Sequence, residues 1–276
     1  MAAYAIDTPL SLAHLSEIET PPLALLQAAG QAGFDSVGLR TLPASVNGVA
    51  YPLSSEAERQ AVRARSAGAG VGVLYVELVS LQSSALDTAL GTSLARGAAI
   101  GATRLAVAGD EPDTALMARR MAELCDVAAL HGMAVDLEFM PYRGIATLHD
   151  ALEVVSQCGR GNAHVLVDAL HFFRSGSDLR ELSNCPAEML GTFQLCDAPL
   201  AAPADRVAEA RLHRLLPGHG ELPLAELLDA LPAAIPMGVE VPLYTVRRDL
   251  DVADRLSLLV QATRSLLASI TDRGSR

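Results

Sequence analysis

The chain has 276 residues, which is long for an average domain but lies within the range that α/β barrels occupy as one unit. Its 32 acidic and 21 basic residues give a net charge of −11, which repels nucleic-acid phosphates and favours a small-molecule partner. Neither a run of about 18 apolar residues nor a secretory leader is visible, so we expect a cytoplasmic protein without a membrane span.

Short β-type runs alternate with amphipathic helical runs, which is the pattern of βα units on a parallel sheet. Eight such pairs predict a (β/α)8 TIM barrel that forms a single domain over residues 1–276. In chain order, the predicted strands cover residues 4–7, 36–40, 70–77, 104–109, 134–138, 165–168, 192–195 and 238–241. The predicted helices cover residues 22–32, a run that begins at 54, then 84–97, 113–130, 147–157, a short run before the last strand, and 252–269. Residues 41–52 are polar and contain Pro and Gly, so they predict a long loop after the second strand.

Four of the predicted strands end in side chains that carry oxygen atoms: Glu138, Asp168, Gln194 and Glu240. In an eight-stranded barrel the carboxyl ends of the strands face the active-site mouth, so we expect these side chains to meet there. An isolated carboxylate in an apolar environment is unstable unless it is paired or bound to a metal. A divalent cation is the simplest compensation. The alternative is that all four are solvated residues just past strand ends.

His171 follows Asp168 by three residues, which places it one short turn beyond the strand end. There it can reach a substrate oxygen and transfer protons near neutral pH. The alternative is a buried histidine with a structural role. Five other histidines are expected to be ordinary loop or surface residues: His14, His131, His149, His164 and His213.

Three further charged residues are candidates for substrate binding. Arg40 and Glu77 end the second and third predicted strands, and Arg214 lies in a loop with Pro and Gly before the last strand. An arginine at the mouth would hold a carboxylate or a phosphate through paired hydrogen bonds. The alternative is that they are ordinary surface residues.

The site residues together resemble a known family. A glutamate after strand five (Glu138), Asp-x-x-His after strand six (Asp168 and His171), a glutamine on strand seven (Gln194) and a glutamate after strand eight (Glu240) are similar to the pattern of the xylose-isomerase-like barrels. This group is also called the sugar phosphate isomerase/epimerase superfamily, and the resemblance covers nearly the whole chain. Residues 34–40, 138–141, 194–199 and 214–220 are similar to a poorly characterised bacterial branch of it.

Two positions depart from the pattern of that superfamily. Gln194 stands where sugar isomerases and epimerases usually have histidine. Residues 217–220 read Pro-Gly-His-Gly, so His219 stands where the glutamate of the commoner Pro-Gly-Glu-Gly would be. Glutamine at the strand-seven position is also similar to the dehydroshikimate dehydratases of the superfamily. The class of product is therefore open.

The resemblance implies a metal site. It implies that Glu138, Asp168, Gln194 and Glu240 hold one divalent metal and that His171 lies beside it, in contact with substrate. Three carboxylates and an amide oxygen suit manganese, magnesium or cobalt better than zinc. We predict manganese.

The resemblance also implies an isomerase or epimerase that acts on a small polyol or keto-sugar-like molecule. Glu138, Glu240 and His171 would then be the catalytic residues that remove and return a proton. A metal-dependent dehydratase of the 3-dehydroshikimate or inosose type is the alternative, and a non-catalytic barrel is a third. The related endonuclease branch is disfavoured by the acidic charge. A homodimer is one assembly state that we consider.

Overall fold

A computed structural model of the chain describes residues 4–44, 48–82, 88–232, 234–245 and 247–274. Eight parallel strands pair in chain order and close into a barrel, because the last strand also pairs with the first. They are β1 (Leu10–Leu12), β2 (Ser36–Arg40), β3 (Gly72–Leu81), β4 (Arg104–Gly109), β5 (Ala134–Glu138), β6 (Ala163–Asp168), β7 (Leu190–Leu195) and β8 (Met237–Val239). The predicted single-domain TIM barrel is confirmed.

The helices lie outside the strands, and a continuous apolar core fills the space between the two layers. They are α1 (Pro22–Ala32), α2 (Glu56–Ala69), α3 (Thr88–Ala99), α4 (Thr114–Ala129), α5 (Leu148–Cys158), α6 (Ala169–Ser175), α7 (Leu179–Asn184), α8 (Arg206–Leu212), α9 (Leu224–Ala230) and α10 (Val252–Gly274). Among the helices in the described ranges, none is both long enough and apolar enough to cross a membrane.

Local sequence signals fix most of the helix starts. Ser55 and Glu58 form a reciprocal capping box at the start of α2, as the sequence around residue 54 predicts. The Asp113 side chain accepts a hydrogen bond from the Leu116 amide and caps α4. Pro22 begins α1, and Gly33 ends it with a φ of 94°, a conformation that a residue with a Cβ rarely adopts.

Three predicted elements are placed differently by the structure. The first strand is Leu10–Leu12, and the prediction of residues 4–7 is wrong, because Asp7 lies in an exposed turn and Leu10 is the residue that pairs with Met237. Strand β3 continues to Leu81, so Glu77 lies within the strand instead of ending it. The loop predicted between β7 and residue 214 contains helix α8. The predicted start of the third helix, at residue 84, lies outside the described residues.

The alternation of side chains along each strand decides which residues face the inside of the barrel. The Thr192 hydroxyl of β7 donates a 2.5 Å hydrogen bond to the Asp136 carboxylate of β5, although β6 lies between the two strands. This contact can only cross the interior. Side chains two positions further along a strand share the same side, so Glu138 and Gln194 also face inward, one layer closer to the mouth.

Candidate active site

Three carboxylates converge at the carboxyl ends of the strands. Glu138 ends β5, Asp168 ends β6, and Glu240 follows β8 by one residue. Each offers an oxygen atom that lies within 4.8 Å of the oxygen atoms offered by the other two. All three residues are buried, with at most 5% of their surface exposed. The structure therefore brings together the three acids that the sequence places at separate strand ends.

The Arg214 guanidinium lies between two of these acids. Its Nη1 donates to Asp168 Oδ2 at 2.5 Å, and its Nη2 lies 2.8 Å from Glu240 Oε2. The Nε atom donates to the backbone oxygen of Ala210 in α8 at 2.8 Å. Arg214 is only 4% exposed, so it is an internal counterion of the acid cluster.

The loop that carries Arg214 is held by a buried aspartate. Asp197, two residues after β7, accepts hydrogen bonds from the backbone amides of Gly218, Gly220 and Leu222. Its own backbone exchanges two hydrogen bonds with Leu215, at 3.0 and 2.7 Å. The Pro-Gly-His-Gly segment is thus a support for the arginine, whereas His219 itself is exposed.

Gln194 lies on β7 opposite Asp168 of β6 in the strand register. Its Nε2 donates a long 3.5 Å hydrogen bond to the hydroxyl of Tyr75, which is buried inside the barrel. The other amide atom, Oε1, is buried and has no hydrogen-bond partner among the described residues. A buried polar atom without a partner is unfavourable unless a ligand satisfies it.

These side chains fit a divalent cation. Three carboxylates and a carbonyl-type oxygen are the donors that Mn²⁺ or Mg²⁺ prefers. The unpartnered Oε1 of Gln194 is the atom that such an ion would satisfy. The three acids and Arg214 together carry a net charge of about −2 in their usual ionisation states, which a dication neutralises.

Burial and mutual repulsion perturb the carboxylates. Burial, followed by the charges of Glu240 and Asp168, raises the pKa of Glu138 well above its usual value. Burial raises the pKa of Glu240 to about 7, although the Arg214 charge opposes it. Burial also acts to raise the pKa of Asp168, but the Arg214 charge, the His171 ring and amide and the hydrogen bond from Arg214 together outweigh it, so the pKa is lowered. Asp168 is therefore the strongest acid of the three, whereas burial leaves Glu138 and Glu240 weaker acids.

His171 is buried at the start of α6, beside the acids. Its ring Nε2 lies 3.6 Å from Glu138 Oε1, and its backbone amide donates to Asp168 Oδ1 at 3.0 Å. The edge of Tyr142 packs on the ring, with the ring centroids 5.6 Å apart. Burial lowers the pKa of His171 to about 4, so the imidazole is neutral at pH 7. A neutral imidazole can accept or donate one proton.

Arg40 and Glu77 lie on the opposite side of the barrel mouth. Arg40 Nη2 is 3.9 Å from Glu77 Oε1. The same carboxylate oxygen accepts a 2.8 Å hydrogen bond from the His14 amide. The His14 ring Nδ1 accepts the Arg40 backbone amide at 2.8 Å, and its Nε2 donates to the Thr20 carbonyl at 3.0 Å. Because His14 is fully buried, the prediction that it is a loop or surface residue is wrong.

A cavity of about 210 Å³ connects the two sides of the mouth. A cavity of this kind accommodates a small molecule. The side chains that line it include the predicted catalytic and substrate-binding residues together with apolar ones: Leu15, Ile18, Arg40, Glu77, Leu78, Glu138, Met140, Tyr142, Arg143, His171, Arg211, Arg214 and Glu240. Asp168 and Gln194 lie beneath its floor, since both are almost fully buried.

Sequence reasoning missed two residues of this region. Tyr75 contacts Gln194 from inside the barrel, two positions before Glu77 on the same strand. Tyr142, in the loop after β5, lies against His171. For Tyr75 a signal existed, because Tyr75 and Glu77 share the inward parity of β3. For Tyr142 none existed, because its place depends on the path of a loop.

Comparison with known proteins supports this description of the fold. The model of a family described as xylose isomerase-like TIM barrel matches residues 26–261. An inosose isomerase from Halalkalibacterium halodurans is 28% identical over 116 residues, which is 40% of this chain and 39% of the relative. The chain thus matches well under half the length of this curated relative.

Three solved structures share the fold at low sequence identity. A structure of the IolI protein with a bound zinc atom has a TM-score of 0.77 and 17% identity, and the match covers 95% of this chain and 99% of that one. D-psicose 3-epimerase with D-fructose has a TM-score of 0.71 and 13% identity over 95% of this chain and 100% of that one. A probable 3-DHS dehydratase from Bacillus anthracis has a TM-score of 0.70 and 14% identity over 93% and 98%. Such identities establish the shared fold alone.

Proposed function

The chain belongs to the xylose isomerase-like TIM-barrel family, and we propose that it is a metal-dependent isomerase or epimerase of a small sugar-like hydroxy-ketone. The observation that carries the proposal is the cluster of Glu138, Asp168 and Glu240, three buried carboxylates with oxygens within 4.8 Å of one another. Buried acids at this density are unfavourable without a cation, and they border a cavity of substrate size. Its relative among inosose isomerases supports the same class of substrate.

We assign Glu138, Asp168, Gln194 and Glu240 as the groups that would hold the ion, with Mn²⁺ as the expected metal and Mg²⁺ or Co²⁺ as substitutes. When bound, the ion would supply a Lewis acid that polarises the substrate carbonyl and makes the neighbouring C–H more acidic. Gln194 fits this role through its unpartnered Oε1. The zinc in the IolI structure belongs to a protein only 17% identical, so the choice of Mn²⁺ rests on the all-oxygen donors.

The residues of the chain would move the proton. In this proposal Glu138 or Glu240 accepts the proton from the carbon next to the carbonyl, and the other acid or His171 returns it. His171 suits the second role because its neutral ring lies 3.6 Å from Glu138 and lines the cavity. Arg40 and Glu77 would contact the far end of the substrate. Arg214 would act mainly through Asp168 and Glu240, which already occupy its guanidinium.

A dehydratase is the second candidate. It is favoured by Gln194, an amide where sugar isomerases carry imidazole, and by the fold shared with a probable 3-DHS dehydratase. The same proton abstraction leads to loss of water when the substrate carries a β-hydroxyl group. In this proposal the acid cluster supports proton abstraction, and the substrate decides the product.

The first experiment tests the metal. Manganese should raise the melting temperature of the chelated protein, because the ion binds the folded state and relieves repulsion among the acids. Asp168→Asn and Glu240→Gln should lose the shift, whereas His171→Ala should keep it and lose turnover. Glu209→Gln is the matched control, because it alters a buried carboxylate that pairs with Arg174 away from the cavity. This variant should keep the manganese-induced rise in melting temperature. An unchanged melting temperature in the wild type, with less than about half an equivalent of metal, would refute the site.

The second experiment tests the reaction. Manganese-loaded protein in heavy water is incubated with ketoses, inososes and 3-dehydroshikimate, and NMR follows deuterium entry. Deuterium in a recovered or isomeric ketose supports the isomerase. An enone or aromatic product with loss of water supports the dehydratase instead. Absence of exchange with every compound, with metal bound, favours a non-catalytic barrel. Analytical ultracentrifugation of the same sample tells whether the protein is a monomer or the homodimer considered above.

A further inference from the structure

Arg40 differs from every other buried arginine in the described part of the chain. Arg174, Arg214 and Arg255 each lie within 2.5–2.7 Å of a carboxylate oxygen and donate further hydrogen bonds to backbone carbonyls. Arg40 is only 8% exposed, yet its side chain donates no hydrogen bond to any described residue, and its Nε is buried without a partner. Its nearest acid is Glu77, at 3.9 Å. A guanidinium carries five N–H donors, and leaving a buried one such as that of Nε unmet is unfavourable.

Glu77 is not the missing partner, because its carboxylate is engaged elsewhere. It accepts hydrogen bonds from the backbone amides of His14 and Leu15, which form the turn after β1. It neutralises the charge of Arg40 at a distance without meeting its donors. The backbone of Arg40 is fixed at the same time, since its amide donates to the His14 ring. The Arg40 side chain lines the cavity, so a ligand there could meet the guanidinium donors that are not buried.

The position of Arg40 relative to the acid cluster defines a two-ended site. Arg40 ends β2 and Asp168 ends β6, and these strands are four apart in a closed barrel of eight. They therefore stand on opposite sides of the mouth. The cavity is lined by Arg40, by Glu138 at the end of β5 and by Glu240 just after β8. A small ligand held at the acid cluster would present its far end to Arg40.

The charges around the cavity leave room for one negative group. With a dication bound, the three acids, Arg214 and the ion sum to zero, and Arg40 cancels Glu77. Arg143 is neutralised by Asp110, whose carboxylate it contacts at 2.6 Å. Arg211 lines the rim, is exposed, and forms no ion pair among the described residues. The positive charge that remains is that of Arg211, and it favours a singly charged anion in the cavity over a dianion.

We infer that Arg40 is the subsite for a carboxylate substituent, so that the substrate is a hydroxy-keto acid in place of a neutral sugar. This rests on the proposed function for the opposite end of the cavity. A planar carboxylate takes two parallel N–H bonds from one guanidinium, which matches a single arginine with its donors unmet. A phosphate dianion exceeds the single positive charge that the cavity offers.

Matched ligands test the subsite. Titration calorimetry on the manganese-loaded protein compares 3-dehydroshikimate with its methyl ester, and 5-keto-D-gluconate with L-sorbose. The members of each pair differ mainly at the carboxylate. The acid of at least one pair should bind about tenfold to a hundredfold more tightly than its neutral partner, which is the range of a charge-assisted hydrogen-bonded pair. D-Fructose 6-phosphate tests the phosphate alternative.

Variants then assign the preference to Arg40. Arg40→Met should reduce the acid-to-neutral ratio to below about threefold, Arg40→Lys should keep part of it, and both should bind manganese as the wild type does. Arg143→Met removes another arginine of the cavity wall, one already paired with Asp110, and should leave the ratio unchanged. Circular dichroism and the manganese-induced melting shift verify that each variant is folded.

The outcomes separate this inference from the proposed function. Equal binding of acid and neutral partner in both pairs, or no binding of any ligand, overturns the subsite while the metal result stands. Equal loss of acid and neutral ligands in Arg40→Met shows a general structural role and also overturns it. Tighter binding of the sugar phosphate than of either acid replaces carboxylate by phosphate and overturns the assignment. If manganese fails to bind, the proposed function falls, and the acid preference is still measured in chelated protein.

Discussion

Replacing Arg214 with methionine should destabilise the metal-free protein strongly. The substitution leaves Asp168 and Glu240 buried and adjacent without their shared counterion, whose nitrogens lie 2.5 and 2.8 Å from them. Removing one partner of a buried ion pair costs about 3–5 kcal/mol, because the remaining charge stays desolvated. For a domain of this size each kcal/mol lowers the melting temperature by roughly 2 °C. We therefore expect the melting temperature to fall by about 6–10 °C in chelator.

Manganese should reverse most of that loss. The ion carries positive charge into the same cluster, so it compensates the acids that the variant leaves unpaired. At a free concentration about 100 times its dissociation constant, a ligand of the folded state adds about 2.7 kcal/mol. The manganese-induced rise in melting temperature should also be larger in Arg214→Met than in the wild type, because the variant site lacks the competing cation. Differential scanning calorimetry, with and without chelator, measures both quantities.

Arg174→Met is the matched control for this experiment. Arg174 and Glu209 form a buried ion pair of similar geometry, at 2.7 Å with each side chain about 4% exposed, and neither residue lines the cavity. Arg174→Met should lose about as much stability as Arg214→Met. Its manganese-induced rise in melting temperature should equal that of the wild type. Two results would refute the reasoning: a loss below about 1 kcal/mol in Arg214→Met, which is the value of an exposed pair, or equal manganese responses in both variants.

Two further predictions concern the support of the site. Burial lowers the pKa of His14 from its ordinary 6.5 to about 4, so between these values the unfolded chain binds a proton that the folded chain does not, and stability falls as pH falls. His14→Gln should remove about 2 kcal/mol of the loss between pH 7 and pH 5, measured by urea unfolding; an unchanged pH dependence would contradict the assignment. Gly38→Ala would place a Cβ 2.2 Å from the buried ring of Tyr75, so we expect about 1–3 kcal/mol of destabilisation and a weaker manganese response. Gly161→Ala, where a Cβ meets open space, should be neutral, and equal effects of the two would refute the packing argument.

The barrel could be predicted from the sequence because its signals are local. Strand β2, strand β4 and the start of α2 depend on short apolar runs and on caps that involve residues a few positions apart. The first strand could not be placed, because residues 4–7 and Leu10–Leu12 are both short and apolar. Pairing with β8, more than 220 residues away, decides between them. The helix α8 was missed because it is only seven residues long and begins beyond a Pro- and Ala-rich run.

The acid cluster was equally predictable, because barrel geometry brings all strand ends to one place. Its electrostatics were not. Arg214 was predicted to bind substrate. The structure places it between Asp168 and Glu240, where it forms ion pairs with both carboxylates. The contact depends on the path of the loop that Asp197 holds, over twenty residues without a periodic pattern. Distances across such a loop are set by tertiary packing, so they cannot be inferred from the spacing of residues in the sequence.

Arg40 and Arg214 therefore differ in how many of their hydrogen-bond donors already have partners. Both are buried arginines at the mouth, and the sequence offers no reason to treat them differently. Arg214 has carboxylate and backbone partners for each of its nitrogens, so a substrate could recruit it only by displacing one of them. Arg40 has no hydrogen bond to lose among the described residues. Since a ligand gains most from donors that are pre-positioned and unmet, specificity in this cavity is expected to depend on the arginine of β2.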